Sequence, residues 1–176
     1  MGMSASSLTL DRINSMSKTE FVESLGGIFE HSPWVAEGAF QHSPFRSVDQ
    51  LHDTMLEIAR TAERSQVEAL FRAHPDLATK LQVSSLSAAE QQGAGLDRLS
   101  PEEFTLLNDL NKKYTDTFHF PFILAVRGKN KEDIMNAISE RVNRSLQEEW
   151  EQALSEIGAI TKFRLQDLLM DGGSLS

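Results

Sequence analysis

One histidine in this chain sits where a helix is forced to stop. His74 closes a run in which Val67, Leu70 and Phe71 share one apolar helical face, and Pro75 follows it directly. A residue before proline is pushed out of α geometry, so the imidazole stands at an exit with few rotamers. Imidazole titrates near neutrality, which suits general acid/base work. A histidine at a helix C-terminus also balances the helix dipole, and on sequence physics alone that role is the simpler account of its placement. Further on, Glu90 lies at the third position after Ser87, beside Gln91 and just ahead of Gly93-Ala94-Gly95. The spacing fits half of a capping box. It also aims a carboxylate from a bend.

Two further groups have chemical potential. Phe120, Pro121, Phe122, Ile123 and Leu124 form an apolar, aromatic stretch around a proline. Such a stretch fills a core. It also leaves backbone N–H and C=O groups that a flat polar ligand can bond. Arg141 is either a solvated helix charge pairing with a nearby glutamate or a fork for a carboxylate or ring oxygen. Of the other histidines, His31, His42 and His52 read as solvated or capping side chains, and His119 adjoins the aromatic stretch. No two histidines stand at i, i+4, and there is no His-Glu-x-x-His, so no metal site is expected. The lone Gly-x-Gly has neither the third glycine nor the preceding strand of a dinucleotide site. No P-loop or Gly-x-Ser-x-Gly elbow occurs. No cofactor is therefore expected.

The elements that must position these groups are helices. Ser17 with Glu20 reads as a capping box for a helix through Phe21, Leu25 and Phe29. Pro33 fits a first helical turn. Ser47 caps a run through Leu51, Met55 and Ala59, and residues 63–73 make the helix that ends at His74. Ser87 caps a short helix entering Glu90. Ser100-Pro101-Glu102-Glu103 combines an N-cap, a proline at the first position and acidic residues at the positive end of the dipole. Residues 120–123 cannot continue that helix. Asn130 caps the next, and a last helix carries Leu146, Trp150, Leu154, Ile157 and Leu165. No alternating strand pattern appears. The expectation is an all-α, single-domain bundle of eight or nine helices spanning 1–176, with about 15 N-terminal and about 6 C-terminal residues frayed.

The 176 residues are 40% hydrophobic and 24% charged, with no cysteine and a formal charge of −9. A core of this size needs no disulfide. Lack of cysteine excludes thiol catalysis and fits a reducing compartment. An acidic surface repels phosphate backbones, so nucleic acid is not an expected partner. The longest apolar run is too short to span a bilayer. The first residues lack the pattern of a signal peptide. A cytoplasmic protein without a membrane partner is expected.

The chain resembles the 2-oxo-4-hydroxy-4-carboxy-5-ureidoimidazoline (OHCU) decarboxylases, which complete the conversion of urate to (S)-allantoin. The likeness rests on His74-Pro75-Asp76-Leu77-Ala78, on Ser87 with Glu90-Gln91 and Ala94-Gly95-Leu96, on Phe120-Pro121-Phe122-Ile123, and on Arg141-Val142 upstream of Glu149 and Arg164-Leu165. Pro33-Trp34-Val35-Ala36-Glu37 and Ser43-Pro44-Phe45 add to it, so the resemblance covers about 17–169. It implies His74, Glu90 and Arg141 as catalytic residues. It implies Pro75, Ser87, Gln91, Phe120, Phe122, Ile123 and Leu124 as the substrate-binding wall. It further implies OHCU as the small-molecule substrate, cofactor-free decarboxylation, and a homodimer. The chain departs from the family pattern at Arg144, where asparagine is usual, which makes Arg144 a rival to Arg141. It departs again at His119, where glycine is common, and in a shorter connection from Ala78 to Ser87. The competing readings are a non-catalytic helical module binding a purine-derived ligand, an interaction protein using the Trp150 helix, and a metal-dependent hydrolase.

Overall fold

The structure is a computed structural model, and it describes residues 8–74 and 100–170. Every regular element among them is α-helical: α1 Leu10–Asn14, α2 Lys18–Leu25, α3 Pro33–Phe40, α4 Val48–Thr61, α5 Arg64–Ala73, α6 Pro101–Phe118, α7 Lys131–Arg141 and α8 Leu146–Met170. The all-α expectation is met. The short helix expected after Ser87 lies outside the described residues.

Local chemistry sets most helix starts. Ser17 and Glu20 form the expected capping box on α2, as do Ser100 and Glu103 on α6 and Asn130 and Asp133 on α7. Each box satisfies two backbone donors that no helical carbonyl can reach. Ser47 caps α4, and Pro33 opens α3 at its first turn. Fraying was expected through about residue 15, yet α1 forms there. Thr9 accepts from the Arg12 N–H, Ile13 is buried, and Asn14 exchanges two hydrogen bonds of 2.8 and 2.9 Å with the backbone of Phe45.

The chain divides into two compact units, Met1–Leu70 with Gly158–Ser176, and Phe71–Ile157. The first unit packs α2 on α3 and α3 on α4. Its core holds Phe21, Leu25, Phe29, Val35, Leu51 and Met55, with Phe21 edge-on to Phe40 at 5.4 Å. Gly38 lets α3 approach α4: a Cβ there would stand 3.1 Å from the Ile58 Cδ1. His52 corrects the expectation of a solvated ring. It lies on the buried stripe of α4 with Leu51, Met55 and Ala59, and its Nε2 is 2.9 Å from the Thr161 hydroxyl. Burial lowers its pKa below the usual histidine value. His31 and His42 are exposed, as expected.

The second unit is built on α6, α7, the first part of α8 and the non-helical segment 119–130. Leu107, Tyr114 and Phe118 of α6, Ile134 and Ile138 of α7, and Ala153, Leu154 and Ile157 of α8 fill its interior. The segment itself is buried at Phe120, Phe122, Ile123, Leu124 and Ala125. Among the described residues, no helix is long and apolar enough to cross a membrane.

Candidate active site

α5 carries Val67, Leu70 and Phe71 on its buried face and ends at Ala73. His74 is the first residue beyond it. Its N–H still donates to the Phe71 carbonyl at 3.2 Å, and its side chain is buried at 5% exposure. Pro75, Ser87, Glu90 and Gln91 lie outside the described residues.

Two contacts tie the end of α5 to the aromatic segment. The Phe71 ring lies 4.9 Å from the Phe120 ring, and Trp150 closes on both, 4.8 Å from Phe71 and 6.3 Å from Phe120. Arg72 Nε donates to the His119 carbonyl at 3.2 Å. His119 itself is exposed and takes a left-handed conformation (φ 65°) that ends α6. This accounts for the departure noted at position 119: glycine adopts that geometry without strain. The histidine is there as a turn residue, and its carbonyl is what the fold uses.

Behind the segment sits a group of buried polar residues. Arg141, at the last position of α7, is 3% exposed. Its Nε donates to Glu149 Oε1 at 2.8 Å, its Nη1 to the Ile123 carbonyl at 2.8 Å, and its Nη2 approaches the Tyr114 oxygen at 3.5 Å. The guanidinium carbon lies 4.5 Å from the Phe122 ring centre. Tyr114 donates its hydroxyl proton to the same Glu149 oxygen at 2.5 Å. Burial, and then that bond, push the Tyr114 pKa far above the usual phenol value, against the pull of Arg141. The phenol therefore stays protonated and acts as a donor. The Phe-Pro-Phe segment thus runs from the His74 turn on one side to a desolvated ion pair on the other.

Sequence reasoning named Arg141 but missed Tyr114 and Glu149 as its partners. A signal existed. Tyr114 recurs with Leu107, Asn111 and Phe118 on one face of α6, placing polar groups inside an apolar stripe. Arg144, the rival at this position, is one-third exposed. It bonds Glu140 at 3.2 Å, stands 3.7 Å from Glu149, and lines a shallow depression of about 520 Å³ with Ser145, Gln152 and Ser155.

The model of the OHCU decarboxylase family matches residues 14–166. A uric acid degradation bifunctional protein of Bacillus sp. (strain TB-90) is 43% identical over 94% of this chain, which covers 33% of that protein. The chain therefore spans about a third of the length of that relative. The OHCU decarboxylase of Haloferax volcanii is 40% identical, and the alignment covers 91% of this chain and 95% of the relative. Among solved structures, an (S)-allantoin synthase matches with a TM-score of 0.77 and 31% identity, over 92% of this chain and 54% of that one. An OHCU decarboxylase crystallised in the presence of (S)-allantoin shares the fold, with a TM-score of 0.66 at 22% identity over 88% and 99% of the two chains.

The all-helical fold and the sequence match point to one family. The chain belongs to the OHCU decarboxylase family.

Proposed function

We propose that this chain decarboxylates OHCU to (S)-allantoin. The observation that carries the reading is the family match across 14–166, joined to relatives of the same name and nearly the same length. The chemistry is self-sufficient. In OHCU the carbon bearing the carboxylate and hydroxyl adjoins a ring C=N. When the bond to the carboxylate breaks, its electron pair moves into that C=N, CO2 leaves, and the ring nitrogen takes a proton from solvent. His74 then removes the hydroxyl proton, so that oxygen becomes a carbonyl. A proton delivered to one face of the ureido-bearing carbon sets the S configuration.

In this reading Glu90 orients the imidazole or bonds the ureido and ring N–H groups. Pro75, Ser87, Gln91 and the backbone of residues 120–124 wall the substrate. The burial of His74 and its attachment to the aromatic segment through Phe71 support that arrangement. No metal or cofactor enters the scheme. We further propose a cytoplasmic homodimer, which sedimentation would register as a particle of twice 19.7 kDa.

The test uses OHCU generated freshly from urate. Because the substrate also decays unaided to racemic product, the readout is the optical activity of allantoin. Added protein is expected to accelerate its appearance and give the S form in excess. Racemic product at the spontaneous rate, with ligand binding retained, would instead make the protein a non-catalytic binding module.

A further inference from the structure

We propose that Arg141, Glu149, Tyr114 and Glu156 are positioning residues that clamp the segment 120–125 from behind and so set the shape of the substrate wall. The inference rests on the proposed function insofar as that segment contacts substrate. It differs in giving Arg141 an indirect role and in adding three residues to the machinery.

The segment has no helix or sheet of its own to hold it. A buried stretch without such bonds must place its peptide groups on something else. Two side-chain anchors do this. Arg141 Nη1 donates to the Ile123 carbonyl at 2.8 Å, and the Ala125 N–H donates to Glu156 Oε1 at 2.9 Å. Both anchors act within three consecutive residues, so together they fix the path of the segment there.

Each anchor is itself braced. Glu149 holds Arg141 by Nε, and Tyr114 holds Glu149, so three side chains from α7, α8 and α6 converge on one carbonyl. Gln152 Nε2 donates to Glu156 Oε2 at 2.6 Å, fixing the second anchor from the same helix. Arg141 also lies against the Phe122 ring and Tyr114 packs edge-on to it at 5.2 Å, which restrains that side chain as well as the backbone. The effect reaches the backbone that bears His74 by contact: Tyr114 meets Phe120, Phe120 meets Phe71, and the Phe71 carbonyl receives the His74 N–H. The guanidinium presents separate N–H groups to Glu149 and to Ile123, a fixed fork that the compact ammonium of lysine lacks.

Two variants keep the core intact enough to read. Arg141→Lys retains the charge but loses the fork, and Tyr114→Phe removes one hydroxyl while leaving the ion pair. The first measurement is amide hydrogen exchange in the unliganded protein. The clamp requires a roughly tenfold faster exchange in the peptide covering residues 122–126 of Arg141→Lys, with α6 and α7 unchanged and a smaller effect in Tyr114→Phe. Unchanged exchange there overturns the clamp, whatever the activity. The second measurement is turnover per folded protein, with enzyme in excess over spontaneous decay. Expected are a kcat reduced about tenfold in Arg141→Lys, KM changed less, and a lowered enantiomeric excess. A merely structural role would lower the active fraction and leave enantiomeric excess untouched. A wild-type protein without turnover but with the exchange effect would sink the decarboxylase reading and keep the clamp. An active wild type whose two variants match it in both measurements would do the reverse.

Discussion

Glu149 is fully buried and its Oε1 takes bonds from both Arg141 and Tyr114, so its removal has a calculable cost. Glu149→Leu leaves the Arg141 guanidinium desolvated beside an apolar side chain. Breaking a buried pair from one side costs about 3–5 kcal/mol. Arg141→Met should cost a similar amount, since it strands the carboxylate. The sum of the two is then roughly 6–10 kcal/mol on that scale. The double variant removes both charges together. What it leaves is the Ile123 carbonyl and the Tyr114 hydroxyl without their partners, at about 1–3 kcal/mol each. The double should therefore lose only roughly 2–6 kcal/mol, close to either single change. For a chain of this length 1 kcal/mol moves Tm by about 2–4 °C, so each single variant should melt roughly 6–20 °C lower. Urea titration gives the free energies, and equal slopes would show that the unfolded states are comparable. If the two single losses add in the double variant, Arg141 and Glu149 do not act as a coupled unit.

His74→Ala should lower kcat about 10²–10⁴-fold, the usual scale of positioned proton transfer, with the fold retained by circular dichroism; wild-type turnover would remove His74 from the chemistry. The stability tied to His52 has a definite sign. Its folded pKa is depressed, chiefly by burial, against the opposing pull of Asp53 and Asp49 and with some help from Lys162. The unfolded state therefore binds the proton more readily, so this contribution is complete above the ordinary value of 6.5 and fades as pH falls below it. Melting from pH 8 to pH 5 should show a drop that His52→Gln reduces; identical profiles would exclude the residue. Asn14→Ala should cost about 1–3 kcal/mol by stranding the Phe45 peptide groups, measured by urea titration; no loss would mean that water replaces both bonds.

What the sequence disclosed depended on how far each interaction reaches. Ser17 with Glu20 and Ser100 with Glu103 are readable because a capping box closes within four consecutive residues. Pro121 announces the break after α6 for the same reason. His52 is not readable: its partner Thr161 arrives from 109 positions away, and nothing near His52 signals it. Arg141 is an intermediate case. Its type and its neighbour Val142 suggested a functional fork, but that its charge meets Glu149 and Tyr114 inside the core is a fact of three helices converging. His74 was legible as a helix-ending imidazole, and the structure adds its burial and its link through Phe71. Glu90, Ser87, Gln91 and Pro75 rest on the motif resemblance.

The chain has two tryptophans, and they fall in different units. Trp34 belongs to α3, whereas Trp150 stands against Phe71 and Phe120. Replacing Trp34 by phenylalanine would leave a single indole touching both the turn that bears the imidazole and the aromatic segment. Its emission wavelength and quenching then become a label-free optical gauge of that spot, able to follow ligand entry in a stopped-flow mixer without any chromophore on the ligand.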